Sequence, residues 1–466
     1  MGKREPGTGR DEFIIIRSKL MLVNKRSLLT GLLAVAVAAA AAACSSGGSS
    51  NASGGGSGSS TLKIITWVNP PTITAFKQID AEFEKANPGI KVTLQTAANV
   101  NGPYKTLAQQ AVNSGSADII TYNFPFQPLP PNPSQSNETP VQYWGTNGAF
   151  LSLSGQSFLS DYTPTALASQ TYQGKTYGLL SGVYQQGVFY NKAIFAQYHL
   201  SVPTTYNEFI ALCKTLQSHG VQPLYTALGG VGPVYLQFIY NEAMADLWTP
   251  TAPGGNLASD LIHGTVKWTD PAFVQAMTEE KTVASYLEPN YTGIPWQDMA
   301  GGGEFTSGKA AMQLDGTWDM ASDHLANPKL QIGFFPLPFS NVAADNQPIV
   351  QPDLAFYVLS HAQNQAAALK WLKFFSTPSI YAQYVNTTGI SSAQTSGTFN
   401  GFSASAIGSW FGKGVNVNNM MPVMSPSNGP NDQTATWPNL QLQVIQGKLS
   451  PAKAAAEYQA DWKTAS

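Results

Sequence analysis

TLKIITWVNPPTITAFKQIDAEFEKANPGIKVTL, residues 61–94, is the stretch that decides the fold. Residues 61–68 form a short apolar run rich in β-branched and aromatic side chains, the pattern of a buried strand. Residues 72–86 then change period: Ile73, Phe76, Ile79 and Phe83 fall on one helical face. Asn87-Pro88-Gly89 stops that helix, and residues 90–94 read as a second strand. The alternation continues with a helix over 104–112 and a third strand in ADIITY, 117–122. Strand, helix, strand, helix, strand requires right-handed crossovers and a parallel sheet. Ligands of such sheets gather outside the carboxyl ends of the strands. That places Trp67 and Asn69 after the first strand and Tyr122 and Asn123 after the third on one candidate rim; Trp67 serves equally well as core.

Upstream, residues 31–43 are an apolar, Ala-rich run preceded by Lys25 and Arg26 and closed by Ala41-Ala42-Ala43-Cys44. A basic start, a short apolar stretch and a small-residue cleavage site make a secretory signal over 1–43. The run is shorter than the ~20 residues a spanning helix needs. Met21 starts a tidier signal than Met1, whose first twenty residues carry Glu5, Asp11 and Glu12, so translation is expected to begin at Met21. The segment around Cys44 resembles a lipobox, with Ala41 where that pattern prefers Leu, which implies a lipidated Cys44. Residues 45–60 are almost all Ser and Gly, a flexible tether with a root-mean-square span of ~20–25 Å.

Of 25 Lys and Arg and 27 Asp and Glu, the leader 1–43 holds seven and three, which leaves 18 against 24 and a net charge of −6. That balance excludes a nucleic-acid footprint. All four arginines, Arg4, Arg10, Arg17 and Arg26, lie in the leader. The scattered histidines and two cysteines form no metal cluster, and no cofactor is expected. Cys213 lies on the apolar face of a predicted helix and reads as a buried thiol. The length suits two lobes.

Residues 124–147 hold six prolines and little periodicity; they read as a lid at the rim or as a passive insertion. Residues 179–190, with Gly182 and Gly187, and the apolar strand 354–359 link periodic regions and are candidate hinges.

FEKANPGIKV (83–92), YQGKTYGL (172–179), GVFYNKAIF (187–195), PTTYNEFIALCKTL (203–216), FTSGKAAMQLDGTWDM (305–320), LKWLKFFSTP (369–378) and VIQGKLSPAKAAAEYQ (444–459) carry a family resemblance. In this order they resemble the extracellular solute-binding proteins of family 1, the carbohydrate type, whose distant relatives include maltose-binding protein. The resemblance implies an α/β fold of two periplasmic-binding-protein-like lobes, hinge strands between them and a ligand cleft. Lobe 1 is expected over 61–183 and 354–400, lobe 2 over 184–353 and 401–466. It also implies a non-enzymatic receptor, monomeric and lipid-anchored outside the cell membrane, that delivers sugar to ABC importer permease subunits.

Sugars present hydroxyls, which need Asp, Asn, Gln and amides, and apolar ring faces, which need flat aromatics. Asp315-Gly316-Thr317-Trp318 supplies both: Gly316 permits close backbone approach, Asp315 accepts hydroxyls and Trp318 stacks. The alternative makes Trp318 core and Asp315 a helix cap. Tyr184, Gln185 and Gln186 open the first hinge into the cleft; Trp296 and Asp353 are weaker candidates, and Trp410 and Trp437 receive no role. With no arginine in the mature chain to grip carboxylate or phosphate, a neutral carbohydrate is expected. A secreted glycoside hydrolase and a lipid-anchored carbohydrate-binding scaffold are the competing classes. GEFTSGKA, 303–310, mimics a phosphate-binding loop but ends in Ala310 and precedes a strand, so it is discounted.

Overall fold

The computed structural model describes residues 60–98, 102–123, 126, 138–230, 235–397, 399–416 and 436–464. The leader, Cys44, nearly all the Ser/Gly tether and residues 127–137 of the Pro-rich segment lie outside these, as does the Trp437 side chain.

The opening alternation folds as its periodicity dictates. Strand Ser60–Trp67 pairs in parallel with Ile90–Ala97 on one side and Ile119–Tyr122 on the other. Helix Pro70–Ala86 starts where the Asn69 side chain accepts the Thr72 N–H at 3.1 Å, with Pro70 at a first-turn position that needs no donor. It ends at Asn87, and Gly89 takes the left-handed backbone, φ +103°, that turns the chain into the next strand. The helix buries Phe76, Ile79 and Phe83 against the sheet and against helix Gln365–Phe375.

Two later strands complete this sheet, both antiparallel: Ala355–Val358 beside Ile119–Tyr122, then Gly178–Leu180. Because Ala355 pairs with both Tyr122 and Leu180, the chain enters and leaves this lobe at the carboxyl end of its parallel strands. The crossing itself is a short two-stranded ladder: the Ser181 N–H donates to the Leu354 carbonyl at 2.9 Å and the Asp353 N–H to the Gly182 carbonyl at 3.0 Å. A third pass lies alongside, where Val183 and Ser391 exchange both backbone bonds at 2.9 and 2.7 Å.

Beyond the crossing, Val183–Asn191 is the central strand of a second sheet. Ala310–Gly316 pairs antiparallel with it, and Gln222–Tyr225 pairs in parallel with Ala310–Gly316. The other edge of the central strand is shared by Ile349–Pro352, opposite 183–186, and Ile332–Phe335, opposite 188–191. The molecule is thus an α/β fold with two lobes. One core gathers residues between Leu62 and Leu180 with those between Leu354 and Ala393; another gathers residues between Val188 and Phe339 with Leu440, Val444 and Trp462. Cys213 is fully buried in the second core.

The first hinge differs from its expectation. Residues 179–190 do not run as one crossing strand but break at Ser181-Gly182. Gly182 is the position of close approach: a Cβ there would meet the Ser391 carbonyl oxygen at 2.7 Å. Gly187 lies inside the second lobe's sheet instead, where a Cβ would meet the Phe334 ring at 2.7 Å. Its role is packing, because an aromatic ring lies flat over the backbone. Among the described residues no helix is long and apolar enough to cross a membrane.

Candidate ligand-binding site

The site begins with the turn that ends strand Ala310–Gly316. Gly316 sits on the N-terminus of helix Thr317–Ala326, and the Trp318 ring folds back over it. A Cβ at 316 would meet that ring at 1.9 Å, so only glycine lets the indole lie there. Trp318 is half-buried. Its ring meets Tyr184 edge-on at a centroid distance of 4.4 Å and Phe238 at 5.7 Å. Its Nε1–H donates to Asp319 Oδ2 at 2.9 Å.

The row of rings continues outward. Phe238 meets Tyr235 at 5.3 Å, and Tyr235 meets Trp296 at 6.2 Å. Tyr235, Trp296 and Trp318 are partly exposed, while Phe238 and Tyr184 are buried behind them. Trp296 is held at this rim because Gly229, just past the carboxyl end of Gln222–Tyr225, pairs with the Pro295-Trp296 backbone. Trp318, Tyr184 and Trp296, far apart in sequence, are therefore brought into one row. Tyr235, Phe238 and Asp319 were missed. The clustering of Tyr235, Phe238 and Tyr240 was the available signal, but such spacing also describes an ordinary core helix.

The other candidates of this lobe are fully buried and hydrogen-bonded. Asp315 accepts the Gly316 N–H at 2.7 Å and Gln313 Nε2 at 2.8 Å. Thr317 Oγ1 accepts the Gln185 N–H at 3.0 Å. Gln185 Nε2 donates to the carbonyls of Trp410 and Lys413, and its Oε1 accepts Ser391 Oγ at 2.7 Å. Gln186 joins Gln351 at 3.2 Å and Asn241 at 2.9 Å. In this conformation Asp315, Thr317, Gln185 and Gln186 show no surface to a ligand; they tie the crossing strands to the Trp318 helix. Trp410 contributes its backbone to that tie and its ring to a small satellite core.

On the first lobe, Trp67 is half-buried, edge-on to Tyr104 at 5.5 Å. Asn69 is half-buried and spends its Oδ1 on the helix cap. Tyr122 is buried edge-on to Trp144 at 5.3 Å. Asn123 Oδ1 is buried with no hydrogen-bond partner among the described residues. Asp353, at the crossing, is half-buried and accepts Ser181 Oγ at 3.3 Å.

Electrostatics follow from burial without cations. Desolvation pushes Asp353 up to about 6, opposed by hydrogen bonds from Leu354 and Ser181. Asp319 is pushed up to about 7 by burial, opposed by the bond from Trp318. Asp315 is raised well above the carboxylate range by burial first and by Asp319 and Asp323 next. Among the described residues the ion pair Lys91–Glu84, at 2.8 Å, lies at the amino end of strand Ile90–Ala97, and no cation pairs with these acids. No group of His, Cys, Asp and Glu there could hold a metal ion.

Two lobes, three chain crossings and facing rims that carry aromatic and polar side chains define a two-lobe solute-binding protein. The chain belongs to the bacterial extracellular solute-binding proteins, whose family model matches residues 69–382. It is 25% identical over 330 residues, 68% of this chain and 69% of the relative, to an uncharacterized ABC transporter extracellular-binding protein of Pyrococcus horikoshii. It is 21% identical over 315 residues, 67% of this chain and 70% of the relative, to the multiple sugar-binding protein of Streptococcus mutans. Among solved structures, the apo form of RafE from Streptococcus pneumoniae is similar with a TM-score of 0.67 at 18% identity, covering 88% of this chain and 99% of that one. The GacH receptor of Streptomyces glaucescens, solved unliganded and with acarbose, gives 0.67 at 20% identity over 87% and 98%.

Proposed function

We propose that this chain is the receptor of an ABC importer for a neutral mono- or oligosaccharide, which it captures by lobe closure and hands to the permease without chemical change. The observation that carries this is the row Trp318, Tyr235, Trp296. Flat, partly exposed rings stand on one lobe, and polar groups lie at the carboxyl end of the other lobe's parallel strands, where the chain crosses. Rings supply surface for the apolar faces of pyranoses, and Asp353, Asn69 and Asn123 supply hydroxyl partners. Trp67 and Tyr122 back the polar side of the cleft, while Gln185, Gln186, Asp315, Gly316 and Thr317 form the frame that orients Trp318. The multiple sugar-binding relative and a similar RafE structure in complex with raffinose support a sugar. The absence of arginine from residues 44–466 and the uncompensated acids of the site support a neutral one. In this reading the protein is a monomer held outside the cell membrane by lipid on Cys44, with residues 45–60 as tether.

Calorimetry on matched glucose-type and glucuronate-type oligosaccharides tests the ligand class. Stoichiometric binding of the neutral member, weaker binding of the acidic one and no hydrolysis product are expected. Tighter binding of the acidic member sinks the neutral assignment, and sustained release of cleaved sugar makes the protein a hydrolase. Cys44→Ala is expected to abolish partitioning into a detergent phase; unchanged partitioning rules the anchor out.

A further inference from the structure

Asp319 and Trp318 are neighbours in sequence, and the geometry makes them a functional pair. The indole N–H of Trp318 ends on Asp319 Oδ2 at 2.9 Å, and Asp319 is almost fully buried. The ring has three further constraints: Gly316 beneath it, the Tyr184 edge, and Phe238. Each of these is a van der Waals contact. The hydrogen bond to Asp319 is the directional one.

We propose that Asp319 is a positioning residue that holds the Trp318 indole in its ligand-facing orientation, and that its protonation makes ligand affinity depend on pH. The affinity half rests on the reading that Trp318 contacts the ligand. A charged acceptor makes a hydrogen bond about twice as strong as a neutral one. The bond from Trp318 lowers the pKa of Asp319, in opposition to the burial that leaves it raised to about 7. By linkage the ionised carboxylate must stabilise the bonded indole by the same amount. Ionisation therefore fixes the ring, and protonation loosens it.

Of the acids around the indole, Asp319 is the one bonded to it; Asp353, at the crossing, is raised to about 6 and titrates in the same range. From strand Ala310–Gly316 the acid beside it is Asp315, fully buried and kept protonated by burial and by Asp319 itself. On its own helix Asp323 is also raised by burial and accepts the Gly301 N–H at 2.8 Å, while His324 lies flat on Phe402 at 3.8 Å. Tyr235 and Tyr184 face the group as phenols pushed well above their ordinary range by burial. From segment 296–309, Asp298 and Glu304 act on Tyr225, and Lys309 is exposed. Helix Pro70–Ala86 brings Asp80, which binds Trp371, and Lys77 and Lys85, both exposed. Helix Pro378–Thr388 brings Tyr381 and Tyr384, both raised by burial, and helix Phe402–Ile407 has no titratable side chain.

The test has a ligand-free arm and a binding arm. The indole ¹H–¹⁵N resonance of Trp318, assigned by its loss in Trp318→Phe, is followed from about pH 5.5 to about pH 8, a range that brackets the titration. It should move with a single midpoint in the wild type and stay still in Asp319→Asn, which keeps an acceptor and loses the charge. In the binding arm raffinose and stachyose are titrated over the same range. Affinity should rise about fivefold with pH in the wild type, as a charged bond replaces a neutral one. In an Asp353→Asn background, which silences the acid at the crossing, it should be flat in Asp319→Asn, and weaker and flat in Trp318→Phe. An indole resonance indifferent to pH, or one that still titrates in Asp319→Asn with an unchanged melting temperature, overturns the pairing. A pH slope in affinity that survives Asp319→Asn in the Asp353→Asn background overturns the positioning role. If Trp318→Ala binds both sugars as tightly as wild type, the sugar-contact reading and the affinity half fall together, while the ligand-free arm still reports the pairing itself.

Discussion

The molecule contains the same chemical pair twice. In the first lobe the Trp371 indole donates to Asp80 Oδ1 at 2.8 Å; in the second, Trp318 donates to Asp319 Oδ2 at 2.9 Å. Burial raises both acids to about 7, and the indole bond opposes the rise in both. The surroundings differ. Trp371 is 0% exposed, stacked on Phe375 at 5.4 Å and edge-on to Phe356 at 5.1 Å. Trp318 is half-exposed at the mouth of a chain crossing, and its acid has Asp315 and Asp323 for neighbours. The first pair closes a core. The second keeps a ring presented at a rim. Hydrogen-bond length and acidity do not separate the two; exposure and the company of the ring do.

Trp371→Ala and Trp318→Ala should divide along that line. Loss of Trp371 opens a cavity beside the rings of Phe76, Phe356 and Phe375 and strands Asp80, which should cost about 3–5 kcal/mol of stability and leave sugar affinity unchanged. Loss of Trp318 strands Asp319 but opens no closed cavity, so it should cost less stability, about 1–2 kcal/mol, and weaken sugar binding by about 1–3 kcal/mol. Chemical denaturation and calorimetry on both variants check this. Equal stability losses would erase the distinction between core pair and rim pair.

The smaller effect is on pH. Both acids hold protons in the folded chain at pH values where an unfolded chain has lost them, and Glu280, raised to about 8 by burial, does the same. The stabilisation is thus present below the ordinary carboxylate range and is lost as pH rises through 7 to 8. Ligand-free protein should melt at a higher temperature near pH 5 than near pH 8. Asp80→Asn should remove part of that slope without touching ligand affinity, whereas Asp319→Asn should change both. A melting temperature that rises with pH over this interval would show that the buried acids do not govern it.

How far the sequence could be read varies along the chain. The order of elements from residue 61 to 122 was legible, with ends off by up to three residues, because a parallel βαβ unit writes its period and its stop signals locally. Asp315-Gly316-Thr317-Trp318 was legible as a unit, since a strand, a glycine and a ring are adjacent in sequence. Gln185 and Gln186 were noticed for the right place in the chain, yet their polar atoms turn inward to Ser391, Trp410, Lys413, Gln351 and Asn241, partners 55 to 228 residues away. No local pattern announces such partners.

The sequence by itself therefore determined the α/β alternation, the family and the residues of the Trp318 turn, because each depends on side chains within a few residues of one another. Tertiary structure alone decided that Tyr235, Phe238 and Trp296 join Trp318 in one row, that Gly187 packs under Phe334, and that Asp315 is sealed while Asp319 meets the indole. Those outcomes depend on which strands become neighbours in a sheet. That choice is made by the packing of whole lobes, where burial sets both the exposure of a ring and the charge of the acid beneath it.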